Sequence, residues 1–561
     1  MRMAMVQCNT TVGSLTANAK LLRDRASEAA DAGARLIVGP ELAISGYPPR
    51  DLLVQEGFVD ACVREMESMA RAWSSDAALL VGTPWPVGDR GVANGLAVVR
   101  SGAIETVYTK RLLPTYDVFD EDRYFVRGDE ACVIDVDGVR VGLAVCEDLW
   151  RGGDIVDASD GVQRYAGRRD PSNELIHAGA QLIAVASASP FTHEKLAGQR
   201  TIVQATARKL GVPVVACNLV GANDDLVFPG GSVACGSDGR ALAFGGLFEE
   251  GVVVVESDGA TADDDPLARF TREELIFRAL VMGVRDYCVK TGFERCVLGV
   301  SGGIDSAVVA AIASAAVGPE HVIALAMPSR HSSDHSVEDA QDLCARLGVA
   351  YHAAPIAPMH DVAEASMTPL FADLGIADGP SVAEENIQSR LRGLTVMAVA
   401  NKAGALALAT GNKSELAVGY CTLYGDMNGA LAVIGDVLKQ DVYALARWMN
   451  AHHERAGFGR APIPERTIEK RPSAELAPGQ FDTDSLPEYD VLDEILHRYV
   501  EQRQHPDVIV RETGFEDAVV RRITRMTDLN EHKRYQMALG LKVSSIAFGR
   551  GRRRPLVSGR W

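Results

Sequence analysis

Residues 297–313 read VLGVSGGIDSAVVAAIA: an apolar strand, a turn from Ser301 to Ser306 carrying two glycines, and an alanine-rich helix. The glycines let the backbone wrap an anion, successive N–H groups and the serine hydroxyls donate to it, and the helix N-terminus adds partial positive charge. That combination suits a pyrophosphate group, and Asp305 places a carboxylate where it would help hold Mg²⁺. Neither GxxxxGK[ST] nor GxGxxG is present, which argues against a Walker ATPase or a Rossmann dehydrogenase. Outward from this turn, 295–300, 321–328 and 349–356 read as strands alternating with helices at 307–316 and 337–347. The pattern is that of a doubly wound parallel sheet.

Upstream, short β-branched runs such as ARLIVGPE, ALLVGTP, VRVGLAVCE, AQLIAVASA and VPVVACNLV alternate with helical stretches at 17–32 and 58–74, a layered α/β pattern. SDGATADDD (257–265) is acidic and aperiodic, and divides the chain into a domain over 1–256, a linker over 257–268 and a second domain over 269–561. Two further segments, 366–381 and 465–489, are rich in Pro, Gly and Asp and read as long loops suited to covering a substrate. A length of 561 residues excludes one small fold, and 57 basic against 75 acidic side chains leave −18, which disfavours nucleic acid and anionic membranes as partners. Ten cysteines without a CxxC pair and the absence of a signal-like start suggest reduced thiols and a cytoplasmic enzyme.

In the first domain an apolar strand runs into Cys146 of CEDLW, and chemistry in α/β folds gathers at the carboxyl ends of strands. A thiol nucleophile needs a base, but the first 256 residues hold only His177 and His193, neither in a recognisable Cys/His setting. Glu41, ending ARLIVGPE, could take the thiol proton, and Lys110 of TKRLLP could stabilise a tetrahedral oxyanion. GPELAISGY, TKRLLP and CEDLW in this order resemble the nitrilase (carbon–nitrogen hydrolase) superfamily. That resemblance implies an α-β-β-α sandwich in which Cys146 attacks an amide carbon, with Glu41 as base and Lys110 as oxyanion stabiliser. It also implies Tyr116, Ser189 and Lys195 as glutamine-holding positions. SASP stands where the family usually has Asn-Ala-Ser-Pro, and 151–171 is an insertion before it.

The SGGxDS loop resembles that of the ATP pyrophosphatases, which activate a carboxylate or carbonyl as an adenylate. ENIQSRLRG (385–393), ATGNKSELAVGYCTLYGDMNGALAVIGDV (409–437), PSAELAPGQFDTDSLPEYDVLD (472–493) and EHKRYQ (531–536) extend this to the glutamine-dependent NAD⁺ synthetase family, over essentially the whole chain. The resemblance implies L-glutamine, ATP and deamido-NAD⁺ as substrates, Mg²⁺, and at least a homodimer; because ammonium in water at pH 7 is mostly protonated, the fusion of two such sites predicts ammonia passed between the domains through an enclosed passage. ATP would be held by Gly299, Val300, Ser301, Gly302, Gly303, Ile304, Asp305, Ser306 and Thr410. Deamido-NAD⁺ would meet Asn386, Glu415 and Lys533, and Mg²⁺ would be held by Asp305 and Glu415.

Other readings differ in testable ways. A nitrilase-type amidase with an inactive second domain would release no pyrophosphate. Another SGGxDS amidotransferase, or a tRNA-modifying adenylating enzyme, would take a different acceptor, the last disfavoured by the acidic balance. Read without the resemblance, NKSEL is a polar helix start with Lys413 and Glu415 facing solvent. His331 and His335 stand four apart, but without HExxH a metal role is disfavoured. The arginine run at 550–554 suits subunit or phosphate contacts better than nucleic acid.

Overall fold

The computed structural model describes residues 1–150, 165, 167–262, 264–376, 381–473, 475–476 and 480–557, so most of the insertion at 151–171 lies outside the described residues. The chain forms two compact units, Met1–Thr271 and Arg272–Trp561.

In the first unit, strict alternation along the strands builds two sheets. One runs in space Gly251–Glu256, Arg2–Gln7, Leu36–Val38, Ala78–Pro86, Val92–Arg100, Ala103–Thr109; the other runs Ala241–Phe244, Val233–Cys235, Val214–Asn218, Leu182–Ser187, Val139–Val145, Val133–Val136. Met3, Met5, Leu36, Val38, Leu80 and Val98 of the first sheet meet Leu143, Val145, Ala184, Ala186, Val215 and Cys217 of the second in a buried core. The intervening residues face outward: Ala4, Val6, Ile37, Leu79 and Val81 pack on helices Leu15–Asp31 and Phe58–Ala72. Ile183, Val185, Val214 and Ala216 pack with Val203 and Ala207 of helix Leu196–Leu210. Period-two patterning with both faces apolar therefore yields the α-β-β-α sandwich.

The second unit is an all-parallel sheet in the order Ala350–Ala353, Val322–Ala326, Cys296–Gly299, Leu406–Ala409, Leu431–Ala432, Leu539–Gly540. Numbered along the chain this order is 3-2-1-4-5-6, so direction reverses between Cys296–Gly299 and Leu406–Ala409, and a crevice opens beyond their carboxyl ends. Helix Ile304–Val317 is buried along nearly its whole length, Ala307 to Ser314, which its unbroken apolar run requires.

One expected loop is corrected. Residues 366–373 continue helix Ala357–Asp373, because Ser366, Met367, Leu370, Phe371 and Ala372 extend a helix-forming run and Gly375 follows its end, with only Pro369 inside. The described residues of the second long segment keep mostly irregular backbone, with a short helix Glu465–Glu469 and a turn Asp482–Asp484.

Gly82 ties the first fold to its chemistry. A Cβ there would lie 2.3 Å from Leu42 N and 2.5 Å from Pro40 O, the backbone on either side of Glu41. Gly82→Ala is therefore expected to cost roughly 1–3 kcal/mol by overpacking. It would also displace Glu41, so thermal unfolding and glutamine turnover should fall together.

Candidate active sites

Glu41 follows strand Leu36–Val38 and is buried. Its Oε1 accepts 2.7 Å hydrogen bonds from Lys110 Nζ and from Asn94 Nδ2, and its Oε2 accepts one of 3.0 Å from Ala188 N–H. Lys110 is wholly buried and also donates to Glu121 Oε1 at 2.9 Å, where Tyr47 OH donates at 3.0 Å. One ammonium thus lies between two carboxylates. Burial pulls Lys110 down, but Glu121 and Glu41 overcome it and hold the ammonium well above its usual value. Burial pushes the Glu121 carboxyl up, to about 7, against the pull of Lys110.

Cys146 ends strand Val139–Val145 and starts a one-turn helix, Cys146–Leu149, at a left-handed φ of 48°. Such strain on a non-glycine residue persists only where the surroundings over-determine it. Asp148 does so: it accepts from the N–H groups of Val145 (3.0 Å), Arg111 (3.1 Å) and Leu112 (2.9 Å) and from Tyr108 OH (2.8 Å). The carboxylate binds the cysteine turn to the backbone just after Lys110. Burial, reinforced by Glu41 and opposed by Lys110, pushes the Cys146 thiol well up, so the resting group is a neutral thiol that needs a base.

Ser189 Oγ lies 3.6 Å from Cys146 Sγ, and both line one cavity with Asn218 and Arg200. Tyr116 OH donates to Glu147 Oε1, and Lys195 Nζ stands 6.0 Å from the centre of the Tyr116 ring. The structure therefore groups Glu41, Lys110 and Cys146 electrostatically, sets Ser189 against the thiol, and pairs Tyr116 with Lys195. Sequence reasoning passed over Glu121, Asn94 and Asp148. Glu121 stands seven residues beyond the TKRLLP segment, near Asp117, Asp120 and Asp122, with no local signal to single it out.

In the second unit a cavity of about 280 Å³ opens at the strand reversal, lined by Gly299, Val300, Ser301, Gly303, Ile304, Asp305, Ser306, Thr410 and Glu415 among others. Gly302 has φ 77°, and a Cβ there would lie 2.3 Å from the Ser336 carbonyl oxygen, so only glycine fits the turn. Ser301 N–H donates to Ser306 Oγ at 3.2 Å, Gly303 N–H to Ser301 Oγ at 3.2 Å, and Ser306 Oγ to Gly303 O at 3.0 Å. No side chain caps helix Ile304–Val317, which leaves its N-terminal field directed at the cavity.

Asn412 caps helix Lys413–Val418 by accepting from Glu415 N–H at 3.0 Å and donates through Nδ2 to Asp305 Oδ1 at 2.9 Å. Lys439, outside the residues singled out in the sequence, reaches Asp305 Oδ2 at 2.5 Å and Glu415 Oε1 at 3.2 Å. Two hard carboxylates thus converge on one cation position, a donor set that fits Mg²⁺. Burial pushes the Glu415 carboxyl up, to about 8, against the pull of Lys439. NKSEL is no solvated helix start: Lys413 is 2% exposed, with its ammonium 2.7 Å from Glu501, 3.0 Å from Asp436 and 2.7 Å from Ser544 Oγ.

Asn386 and Lys533 lie beside this cavity without lining it. Asn386 Oδ1 accepts from Thr422 Oγ1 at 2.8 Å, and Lys533 Nζ donates to the carbonyls of Gly419 (2.7 Å) and Cys421 (2.8 Å). They flank the segment whose Tyr420 does line it. Of the arginine run, Arg554 pairs with Asp528 at 2.6 Å and Arg552 with Asp528 and Glu531, so these two brace the chain end within the second unit.

Residues 2–265 match the carbon-nitrogen hydrolase family and residues 276–537 the NAD synthase family. A glutamine-dependent NAD(+) synthetase of Synechocystis sp. is 43% identical over 99% of this chain and 98% of its own length. One from Xanthomonas campestris pv. campestris is 42% identical over 100% and 98%. Among solved structures, the glutamine-dependent NAD⁺ synthetase of Acinetobacter baumannii, determined in complex with ADP, superimposes with a TM-score of 0.75 at 33% identity, covering 99% of this chain and 98% of that one. Another, from Cytophaga hutchinsonii, shares the fold with a TM-score of 0.81 at 20% identity, covering 100% and 98%. With both family matches in order and relatives of this identity along its whole length, the chain belongs to the glutamine-dependent NAD⁺ synthetases, ligases that join a carbon–nitrogen hydrolase domain to an NAD synthase domain.

Proposed function

We propose that Cys146 hydrolyses L-glutamine with Glu41 and Lys110, and that the ammonia amidates deamido-NAD⁺ adenylylated in the second unit. The observation that carries this reading is the buried Lys110 ammonium 2.7 Å from Glu41, its charge acting on Cys146. Glu41 takes the thiol proton as sulfur attacks the amide carbon, and Lys110 stabilises the oxygen as it becomes anionic. Collapse returns the proton to the departing nitrogen and leaves a thioester, which water hydrolyses to glutamate. Tyr116, Ser189 and Lys195 hold the amino acid, Lys195 supplying charge for its carboxylate.

In the second unit the loop Gly299–Ser306 and Thr410 hold ATP, and Asn386, Glu415 and Lys533 orient deamido-NAD⁺. The nicotinate carboxylate attacks the α-phosphorus and pyrophosphate leaves; ammonia then attacks the acyl carbon and AMP leaves. Asp305 and Glu415 would hold Mg²⁺, which when bound neutralises phosphate charge during adenylylation. The catalytic domains are taken as 1–256 and 269–561. Ten unpaired cysteines support a reducing compartment such as the cytoplasm, and we take the assembly as a dimer or higher. No described helix is long and apolar enough to cross a membrane.

Three outcomes are expected. Cys146→Ala abolishes glutamine-dependent NAD⁺ formation but retains synthesis from ammonium salt, with pyrophosphate release that depends on deamido-NAD⁺; loss of both activities in a folded variant would refute the division of labour. Glu121→Gln lowers glutamine turnover on the order of 10²-fold by misplacing Lys110, while ammonium-supported synthesis stays near wild type. Finally, ¹⁵N from labelled glutamine reaches NAD⁺ undiluted by external unlabelled ammonium, as transfer through an enclosed passage requires; free dilution seen by mass spectrometry would exclude it.

A further inference from the structure

Two carboxylates facing one buried position need a proton or a cation between them. At Asp305 and Glu415 that cation is already part of the chain. The Lys439 ammonium, 3% exposed, touches an oxygen of each, at 2.5 and 3.2 Å, and its outer side stands 5.4 Å from the centre of the Tyr489 ring. Asp305 Oδ1 already accepts from Asn412 Nδ2, so the oxygen that Lys439 holds is the one a divalent cation would compete for, at about 2.0–2.1 Å. An ammonium this close weakens the cation's hold, because like charges repel strongly in a partly dry cavity.

The base of this lysine is fixed through the backbone, whereas its tip is held by side-chain contacts alone. Lys439 opens helix Lys439–Ala451, its own N–H donates to Ser414 Oγ at 2.9 Å, and that hydroxyl donates to Asp493 at 2.5 Å. Gln440 N–H donates to the other oxygen of Asp493 at 2.8 Å. Four side-chain torsions then separate a rigid anchor from an ammonium that lines the same cavity as the Ser301–Ser306 loop. A triphosphate lying on that loop offers the ammonium a new anionic partner.

We propose that Lys439 is a displaceable internal counter-ion, which keeps the divalent cation off Asp305 and Glu415 until the nucleotide draws the ammonium away. Metal and nucleotide then bind interdependently: each raises the other's affinity by the same factor. This rests on the reading of Asp305 and Glu415 as the cation's ligands.

The test is Mn²⁺ binding by the full-length protein, followed by loss of the free-ion EPR signal. Wild type should bind Mn²⁺ at this site weakly alone and at least roughly tenfold more tightly with a non-hydrolysable ATP analogue. Lys439→Met should bind Mn²⁺ tightly without nucleotide, with Glu415→Gln in the same background removing the gain. Lys439→Gln, a polar replacement, is carried in parallel against misfolding, with circular dichroism reporting on both. Folded variants that bind nucleotide-free Mn²⁺ as weakly as wild type would overturn the counter-ion, as would wild type binding equally with and without the analogue. If Glu415→Gln alone leaves Mn²⁺ binding with the analogue unchanged, the ligand assignment itself falls, and the proposal with it.

Discussion

The molecule is organised around buried ammonium groups that each face two carboxylates. Taking one lysine charge out of water costs several kcal/mol, and only close, well-aligned acceptors repay it. Lys110 obtains them from distant parts of the chain: Glu41 after a strand of the first sheet, and Glu121 from a short turn beyond the last strand of that sheet. Asn94, near the start of strand Val92–Arg100, fixes the same Glu41 oxygen. None of these elements can shift without uncovering charge in a dry interior. The sandwich and its reactive corner are therefore one requirement, and the packing that makes Gly82 irreplaceable beside Glu41 serves both.

The second unit repeats the device twice with different endings. Lys413 meets Asp436 and Glu501 and is closed off by Ser544 Oγ and the Ile546 carbonyl, so every donor is used inside the fold. Lys439 meets Asp305 and Glu415 but opens onto the cavity at the strand reversal. Saturation makes the first a brace. Incompleteness leaves the second able to exchange partners; Lys413 opens the short helix Lys413–Val418, and Lys439, 26 residues on, opens the helix that follows strand Leu431–Ala432.

How much of this was legible follows from how local each signal is. The strands that alternate, the glycine turn at 301–306 and the order of the Glu, Lys and Cys motifs are set by neighbours along the chain, and they led to both folds and to Glu41, Lys110 and Cys146. Glu121 and Lys439 were missed because their meaning lies in contacts across 74 and 134 residues, to Tyr47 and Asp305 respectively; an acid among acids or a lysine beginning a helix carries no local mark. The helix through 366–373 was misread because Pro369 and the glycines beyond it outweighed a run of helix formers that continues past the proline. Lys413 shows the opposite error of local reading, since a polar NKSEL gives no hint that its charge is enclosed.

Each cluster sets one ammonium against two carboxyls, so that burial raises one of them, Glu121 to about 7 and Glu415 to about 8, and the two sites put that balance to different uses. Around Cys146 it falls on a group that must ionise. Burial and Glu41 hold the sulfur as a thiol, so that on the proposed mechanism the nucleophile forms only when Glu41 takes the proton. Around Asp305 it falls on a position that a metal can fill, beside the glycine turn proposed to hold phosphate. There the two carboxyls take up a divalent cation, on the proposed reading, once an anionic nucleotide offers Lys439 another partner.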